Sequence, residues 1–580
     1  MLGHIAMKRR FISPRELVSG ILKDSAANLW GIKDCEFSVE AKNVPAFGDY
    51  SSNIAFALSP RLGKKPPEIA ERIKTHLETA HADTVTKIDV AGGGFVNLFL
   101  ARTVFERSCT HLAALSPKDF RTAHRQKIIV EFSSPNVAKP MHVGNLRATI
   151  LGDFLARLHE FLGYRVIRWN HLGDWGTQFG KLIVAYRRWG EKKRIDSSPI
   201  EEMLALYVRF HREVKDDPGL EAEARTEFQK LEAKDKENTQ LLEWFLDESL
   251  KDFNKLYRLL GVRFDVVKGE STYASDSTRV IKELTDAGMV QKSEGALIVP
   301  LEQEGLPPAL IQKSDGSTLY MTREIASYQH RLKKFRPDVM LYVVGDEQAL
   351  HFRQFAAVIK KIYAGRDVPA PEHTMFGLVL GPDKKKFATR EGNMISAQEM
   401  VGEILVRAHR VVAEKQPQLS EAERNAIANE TGVGALKYNL LKDSRFSAVV
   451  FDPDTALALS GNSGPYLQYT FARFSKILTK AGKVGKANVS TLEASDIELV
   501  KKLTAFPDAL EASRADRSPH HLATYLFELA TLANGFYEST PILKDTDMPR
   551  RNARLELIRA LCATISMGLE ILGIKALSAL

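Results

Sequence analysis

Residues 127–170 read KIIVEFSSPNVAKPMHVGNLRATILGDFLARLHEFLGYRVIRWN, and the order of elements in this stretch sets the expected architecture. KIIVEF (127–132) is a short apolar run typical of a buried strand. Apolar residues then recur every three or four positions from Val143 to Phe161, which predicts a long helix. YRVIRWN (164–170) predicts a second strand. A strand, a helix and a strand at this spacing form a βαβ unit, so we expect an α/β fold with a parallel sheet.

The composition narrows the class of protein. The chain has 580 residues, and 81 Lys and Arg against 72 Asp and Glu give a net charge of +9. It contains no run of about 18 apolar residues, so no membrane span is predicted. Three scattered cysteines predict neither a disulfide framework nor a zinc site, and no metal ligands are assigned. We expect a soluble cytoplasmic protein, whose basic excess permits a nucleic-acid partner without establishing one.

The sequence divides into three domains. Residues 1–120 alternate strand and helix patterns and predict a small α/β domain. Residues 121–400 carry the βαβ unit, and a charged helical segment at about 190–260 interrupts them as an insertion. Residues 401–580 are helical throughout and predict an all-α domain. Three further strand-like runs are expected to complete the parallel sheet: ALIVPL (296–301), VMLYVVG (339–345) and MFGLVLG (375–381).

The sharpest local signal is MHVGN, which includes His142, Gly144 and Asn145 at the start of the long helix. The unpaired N–H groups and the positive dipole end of a helix N-terminus attract phosphate. Gly144 has no Cβ and permits a close approach, and His142 can donate to a phosphate oxygen. Ligands bind at this edge of open α/β sheets. The alternative is a helix cap with a surface histidine.

A second signal is the loop GPDKKKFATREGNMIS (381–396), which holds Lys384, Lys385, Lys386 and Arg390. Basic side chains facing a helix N-terminus would clamp a triphosphate, and their charge would stabilise the transition state most. The alternative is a solvated turn.

These two motifs, about 240 residues apart, resemble the paired HIGH and KMSK signatures of class I aminoacyl-tRNA synthetases. Residues 131–180 resemble arginyl-tRNA synthetases almost residue for residue. Further matches to that family follow in its order: FGDYSSN (47–53), FDVVKGESTY (264–273), LYMTRE (319–324), YVVGDEQALHFRQF (342–355), TREGN (389–393) and GNSGPYLQY (461–469). The chain is therefore similar to this family over essentially its whole length.

The resemblance implies a Rossmann-type class I catalytic domain with a helical insertion, an N-terminal domain that contacts the tRNA elbow, and a C-terminal anticodon-binding domain. It implies activation of L-arginine with ATP to arginyl-adenylate, with tRNA required, and then transfer of arginine to the 3′ end of tRNA(Arg). Mg²⁺ accompanies ATP as a substrate, and no tightly bound cofactor is implied. The family points to a monomer.

The resemblance also implies an arginine site made of Glu131, Asn136, Tyr320, Glu324 and Gln348. Tyr320 and Glu324 are four positions apart and therefore share one helix face. Two carboxylates and a phenol suit a planar guanidinium with five donors. Taken without the family, Glu324 would be an ordinary surface pair on a basic helix.

Lys139 matches a lysine that precedes HIGH in the family and compensates for the missing last lysine of KMSK, which here reads KFAT. Its implied role is to meet the charge on the α-phosphate and pyrophosphate. The implied catalytic residues are Lys139, His142, Asn145, Lys386 and Arg390. The implied ATP-binding residues are His142, Gly144, Asn145, Phe387 and Thr389.

The resemblance places tRNA contacts at both ends of the chain. Phe95 and Asn97 match the elbow-binding domain, where an aromatic ring can stack on a base. Tyr466, Tyr469 and Arg473 match the anticodon-binding domain. For both sets, packing inside the domain is the alternative.

Three positions depart from the family: Asn145 replaces the second histidine of HIGH, Glu324 replaces a usual aspartate, and Gly93 replaces a usual proline. With Ala388, two of these departures leave open a catalytically impaired synthetase-like protein that only binds tRNA. A synthetase for glutamate or cysteine is another alternative. Paired carboxylates count against an acidic substrate, and missing zinc cysteines count against cysteine.

Overall fold

The computed structural model describes residues 12–42, 44–112, 114–121, 126–385 and 395–578. The N-terminal part contains α1 (Pro14–Trp30), β1 (Val39–Ala41), β2 (Tyr50–Ser52), α2 (Ile54–Leu62), α3 (Pro66–Ala80), β3 (Val85–Ala91), β4 (Phe95–Leu100) and α4 (Arg102–Leu112). Its strands form an antiparallel sheet in the order β1-β2-β4-β3. Ser13 begins α1 with a capping box, in which its side chain accepts from the Glu16 amide and the Glu16 carboxylate accepts in return.

The central part begins with β5 (Lys127–Glu131), α5 (Val143–Phe161), β6 (Arg165–Leu172), α6 (Thr177–Trp189), α7 (Lys192–Ser197), α8 (Pro199–Glu213), α9 (Gly219–Glu232) and α10 (Lys236–Leu259). It continues with β7 (Val266–Gly269), α11 (Ser271–Ala274), α12 (Ser277–Asp286), β8 (Gln291–Ser293), β9 (Ala296–Val299), β10 (Ala309–Gln312), α13 (Tyr320–Phe335), β11 (Val339–Tyr342), α14 (Ala349–Ile362), β12 (Pro371–His373) and β13 (Val379–Leu380). The predicted βαβ unit is confirmed, because β5 and β6 pair in parallel on either side of α5.

Five parallel strands form the central sheet in the order β12-β11-β5-β6-β7. Successive residues of β5 point to opposite faces, so Ile128 and Val130 enter one apolar core while Ile129 enters another. The first core also holds the N-terminal domain and the C-terminal helices, and the second lies under α13 and α14. A third core joins α6 to the helices of the insertion.

Two strand predictions are wrong in their partners. ALIVPL contains β9, but β9 belongs to a separate antiparallel sheet in the order β10-β9-β8. MFGLVLG contains β13, which pairs with a strand near residue 449 instead of joining the central sheet. An apolar run indicates burial and does not identify the pairing partner. The strand that does occupy the edge, β12, is only three residues long and begins with Pro371, which an edge strand tolerates.

The C-terminal part is helical, as predicted, except for one short strand. Its elements are α15 (Ala397–Lys415), α16 (Glu421–Leu441), β14 (Val449–Val450), α17 (Pro453–Ala456), α18 (Gly464–Ala481), α19 (Ala494–Thr504), α20 (Phe506–Ala515), α21 (His520–Ser539) and α22 (Met548–Ile571). Buried Arg147 of α5 ties this part to the sheet domain by donating to the carbonyls of Leu378 (3.0 Å) and Ser447 (2.9 Å). A search of the described helices for one able to cross a membrane finds no candidate.

Candidate active site

The carboxyl ends of the parallel strands gather most of the predicted polar residues at one edge of the sheet. Glu131 is the last residue of β5, His171 lies near the end of β6, and Glu270 follows β7 directly. Asn136, in the loop after β5, forms an isolated parallel bridge with Gly173 just beyond β6. These side chains therefore form an acidic cluster at one edge of the sheet, which we refer to as the pocket.

Helix α13 contributes one stripe of side chains to this pocket. Tyr320, Glu324, Ser327 and Arg331 follow one another at intervals of four, three and four residues, which places them on one helix face. The shared face of Tyr320 and Glu324, predicted from their spacing, is confirmed because α13 begins at Tyr320.

Glu131 forms an ion pair with Arg331, and both are buried, with 2% and 0% of their surface exposed. The Arg331 guanidinium also lies 4.5 Å from the Trp169 ring centroid and 5.3 Å from that of Tyr342. Burial raises the pKa of Glu131, while Arg331 lowers it. The floor of the pocket, which we define as Glu131, Arg331, Trp169 and Tyr342, is therefore an internal carboxylate–guanidinium pair enclosed by aromatic rings.

Glu324 has no such partner. It is 1% exposed, and its Oε1 lies 3.9 Å from Nε2 of buried His171. Within the described chain, neither carboxylate oxygen makes a hydrogen bond of good geometry, and neither ring nitrogen of His171 does. Burial, then Glu131 and Glu270, raise the pKa of Glu324 well above its usual value, against lowering by Arg331 and by the Tyr320 hydroxyl. Burial of a carboxyl group without a cationic partner disfavours its charged form.

A second acidic group lines the same pocket at the end of β7. Glu270 accepts from Arg323 at 2.8 Å, and burial raises its pKa while Arg323 lowers it. Next to it, Asp174 accepts from the backbone amide and the hydroxyl of Ser271 at 2.8 and 2.6 Å. The Glu270 carboxylate also raises the pKa of both Glu324 and Tyr320.

The remaining predicted arginine-binding residues border the opening. Tyr320 is partly exposed, and its ring lies 4.8 Å from that of His351 in α14. Burial of the hydroxyl, followed by Glu324, Glu131 and Glu270, raises the pKa of Tyr320. Gln348 precedes α14 and is exposed, as is Asn136. These two polar side chains are accessible to a ligand.

The MHVGN motif caps helix α5. Nδ1 of His142 accepts from the amides of Gly144 (3.1 Å) and Asn145 (3.3 Å), and the Asn145 side chain accepts from the His142 amide (3.2 Å). A Cβ on Gly144 would lie 2.8 Å from the His142 ring, so this fold-back requires glycine. With Nδ1 accepting and burial lowering the His142 pKa, the proton of the neutral ring lies on Nε2. His142 therefore caps the helix, and its Nε2 remains available to donate to a ligand oxygen.

The two sequence motifs meet in space. His142 forms an isolated antiparallel bridge with Ser396, and the Ala397 amide donates to the Met141 carbonyl at 2.7 Å. The residues that follow the basic loop therefore dock against the start of α5. Four predicted site residues of that loop lie outside the described residues: Lys386, Phe387, Thr389 and Arg390.

Lys139 is half-buried beside the insertion, with Nζ 4.4 Å from the ring centroid of Tyr207 in α8. Burial lowers the pKa of Lys139. It lies three positions before His142 in the chain, so its side chain extends from the same loop that leads into α5.

Several residues around the site were not predicted from the sequence, among them His171, Glu270, Arg323, Arg331 and, beside Lys139, Tyr207. Glu270 carried a usable signal, because it directly follows a strand-like run in FDVVKGES and sits at the carboxyl edge. The sequence carried no such signal for the others, because a histidine, arginine or tyrosine in the middle of a helix or strand cannot be distinguished from a surface residue by pattern alone.

The predicted tRNA-contact residues lie on two separate surfaces. Phe95 is 42% exposed and its ring lies 5.0 Å from that of Phe56, whereas Asn97 is 5% exposed. In α18, the Arg473 guanidinium donates to the Tyr469 hydroxyl at 2.7 Å and to Asn534, which also donates to the Tyr466 hydroxyl. Phe95 is thus available for stacking, while the α18 residues form a half-buried polar network.

Comparison with known proteins adds to this geometry. Three family models match the chain: "Arginyl tRNA synthetase N terminal domain" at residues 15–100, "tRNA synthetases class I (R), catalytic domain" at 111–453, and "DALR anticodon binding domain" at 467–580.

Similar relatives and structures span the same length. A curated arginine–tRNA ligase of Fusobacterium nucleatum is 38% identical over 575 residues, covering 98% of this chain and 99% of the relative. One from an Exiguobacterium species is 38% identical over 94% of this chain and 96% of the relative. The structure of Thermus thermophilus arginyl-tRNA synthetase superposes with a TM-score of 0.82 at 24% identity, covering 98% of this chain and all of that one, which supports the fold.

Proposed function

This chain belongs to the arginyl-tRNA synthetase family, and from that premise we propose how its pocket carries out the reaction. The protein is an arginine–tRNA ligase: it activates L-arginine with ATP and transfers the arginyl group to tRNA. The proposal concerns which residues bind each substrate and what each residue does.

The observation that carries the proposal is the buried carboxylate of Glu324, which forms no ion pair with an arginine or lysine among the described residues. A guanidinium entering the pocket supplies a positive charge and further hydrogen bonds to this carboxylate, and Tyr320 and Glu270 border the same space. A site of this kind rejects lysine, because a compact ammonium group cannot donate to every acceptor that is placed for a planar guanidinium. Such hydrogen-bonded recognition discriminates by roughly 10⁴–10⁵ without an editing step.

Each predicted arginine-binding residue receives a role from its environment. Glu324 and Tyr320 bind the substrate guanidinium, with Glu270 close by. Glu131 supports the site through Arg331 instead of binding the guanidinium directly. Exposed Asn136 and Gln348 bind the α-amino and carboxylate groups.

ATP is proposed to bind with its phosphates at the start of α5. Nε2–H of His142 and the amides of the first turn donate to phosphate oxygens. The carboxylate of arginine attacks the α-phosphorus, a new P–O bond forms, and pyrophosphate leaves. Lys139 meets the charge that develops on the α-phosphate and on the departing pyrophosphate, together with Lys386 and Arg390 of the basic loop. Mg²⁺ accompanies ATP as part of the substrate.

In the second step a hydroxyl of the terminal ribose of tRNA attacks the adenylate carbonyl, and AMP leaves. We propose that Phe95, with Phe56 beside it, stacks on a base of the elbow, and that the α18 residues contact the anticodon. The protein is proposed to act as a monomer in the cytoplasm.

Asn145 does not favour the catalytically impaired alternative. Its side chain accepts from the His142 amide and donates to the Ser133 carbonyl at 3.1 Å, so the cap of α5 is complete without a second histidine. Nothing in the comparisons favours that alternative either.

The proposal is tested by ATP–pyrophosphate exchange with arginine or lysine, each with and without tRNA(Arg). We expect exchange with arginine in the presence of tRNA and none with lysine. Absence of exchange with arginine in both conditions would leave only a binding role and would contradict the proposal.

A further inference from the structure

The helical insertion contacts the loop that carries Lys139. Its helix α8 places the Tyr207 ring against the Lys139 ammonium at 4.4 Å from the ring centroid. Its helix α10 places the Ser249 hydroxyl 2.8 Å from the Ala138 amide, which donates to it. Two elements of the insertion therefore hold two adjacent residues of this loop.

The backbone of this loop is strained in front of Lys139. Ser133, Ser134 and Ala138 adopt left-handed conformations with φ of 73°, 45° and 62°. Non-glycine residues persist in this region only where their surroundings hold them. Ser249 is fully buried, and its own hydroxyl donates to the Phe245 carbonyl at 2.6 Å, so it is a rigid acceptor for the Ala138 amide. The insertion thus fixes the backbone from which the Lys139 side chain extends.

The Tyr207 ring fixes the other end of that side chain. No carboxylate forms an ion pair with Lys139 among the residues that the structure describes. The negative face of an aromatic ring attracts an ammonium without neutralising its charge. A carboxylate in the same place would compete with phosphate for the ammonium. The His211 ring, edge-on to Tyr207 at 4.7 Å, supports the ring from the same helix.

We propose that Tyr207 is a positioning residue for adenylate formation. Its ring restricts the flexible Lys139 side chain, which extends from the loop that leads into α5, where the proposed function places the α-phosphate. The insertion is then a structural part of the activation step. This inference rests on the proposed role of Lys139.

The test measures kcat and the KM for ATP in arginine-dependent ATP–pyrophosphate exchange with saturating tRNA. We expect Tyr207→Leu to lower kcat about three- to thirty-fold, with little change in KM, because the lost contact orders a group that acts in the transition state. Tyr207→Phe keeps the ring face and should retain kcat within about twofold.

A matched control addresses general damage to the insertion. Arg209, also in α8, lies 4.7 Å from the ring centroid of Trp189. Trp189→Leu therefore removes a comparable cation–π contact that does not involve Lys139, and kcat should be unchanged. Pentafluorophenylalanine at position 207 keeps the shape of the ring but reverses its quadrupole, so it should lower kcat about three- to thirty-fold. This variant tests the contact if Tyr207→Leu does not fold.

A double-mutant cycle separates this inference from the proposed function. In a Lys139→Ala background, Tyr207→Leu should have no further effect on kcat. If Lys139→Ala itself leaves kcat unchanged, the proposed role of Lys139 fails, and the inference fails with it. Suppose instead that Lys139→Ala lowers kcat. If Tyr207→Leu then leaves kcat unchanged or raises it, or if the two substitutions lower kcat by independent factors in the double variant, only the positioning role is overturned.

Discussion

The floor of the pocket and its wall near Tyr320 each hold a buried glutamate, but these two glutamates differ in their partners. On the floor, Glu131 is paired with Arg331, whose guanidinium is enclosed by Trp169 and Tyr342. On the wall, Glu324 is as deeply buried but has no arginine or lysine in contact among the described residues; its neighbour His171 is 3.9 Å away. The floor therefore already contains the kind of carboxylate–guanidinium pair that we propose the wall forms with its substrate.

This difference indicates how one pocket holds several acidic residues without losing stability. A buried carboxylate costs several kcal/mol unless it is paired and hydrogen-bonded. Arg331 offsets that cost at Glu131, and Arg323 does so at Glu270. Among the residues that the structure describes, Glu324 forms no ion pair with an arginine or lysine. The resident arginine side chains thus leave Glu324 as the glutamate that we propose binds the substrate.

The largest expected effect comes from removing the partner on the floor. Arg331→Met leaves Glu131 buried and unpaired, so the free energy of unfolding should fall by about 3–5 kcal/mol. Urea unfolding followed by circular dichroism measures this loss. The double variant Glu131→Gln, Arg331→Met removes both charges and should recover most of it. Equal stability of Arg331→Met and the parent protein would contradict the pairing.

On the wall, Glu324→Gln should act on substrate binding. The amide keeps the shape but cannot neutralise a guanidinium, so kcat/KM for arginine should fall about 100- to 1,000-fold, with the KM for ATP unchanged. Steady-state pyrophosphate exchange measures both. Glu283→Gln, at an exposed carboxylate paired with Arg279, is the matched control and should have no effect. A loss confined to ATP would place Glu324 outside the arginine site.

A pH dependence separates the two carboxylates further. Because burial and Glu131 raise the pKa of Glu324, we expect its carboxyl group to be protonated in a fraction of the molecules whose pocket is empty. Guanidinium binding requires the ionised form, so arginine binding should release up to about one proton. Affinity for arginine should fall as pH drops below the raised pKa, by about tenfold per pH unit. Calorimetric titration in buffers of different ionisation enthalpy measures the release; zero release would show that Glu324 is already ionised.

The smallest effect is expected from shortening the wall carboxylate. Glu324→Asp restores the residue usual in the family but withdraws the carboxylate by about 1 Å from a pocket built around glutamate. We expect kcat/KM for arginine to fall about three- to tenfold, measured by the same exchange assay. A loss as large as that of Glu324→Gln would mean that charge alone does not define this site.

Much of the fold follows from local patterns. The βαβ unit, the start of α5 and the shared face of Tyr320 and Glu324 depend on spacing within a few turns, which the chain itself specifies. Strand partners do not follow in this way: β9 and β13 read as members of the central sheet and belong to other sheets. Pairing depends on contacts between distant segments, which an apolar run does not encode.

Prediction of the site from the sequence is limited in the same way. The sequence, through its motifs, identified the family to which the chain belongs and predicted which residues surround the substrates. It assigned Glu131 and Glu324 the same task, because both are acidic residues at matching positions. Only the tertiary structure brings Arg331 to Glu131 from 200 positions away and Tyr207 to Lys139 from 68. The charge available to a ligand is what remains after such distant partners have paired, and that remainder is decided by folding.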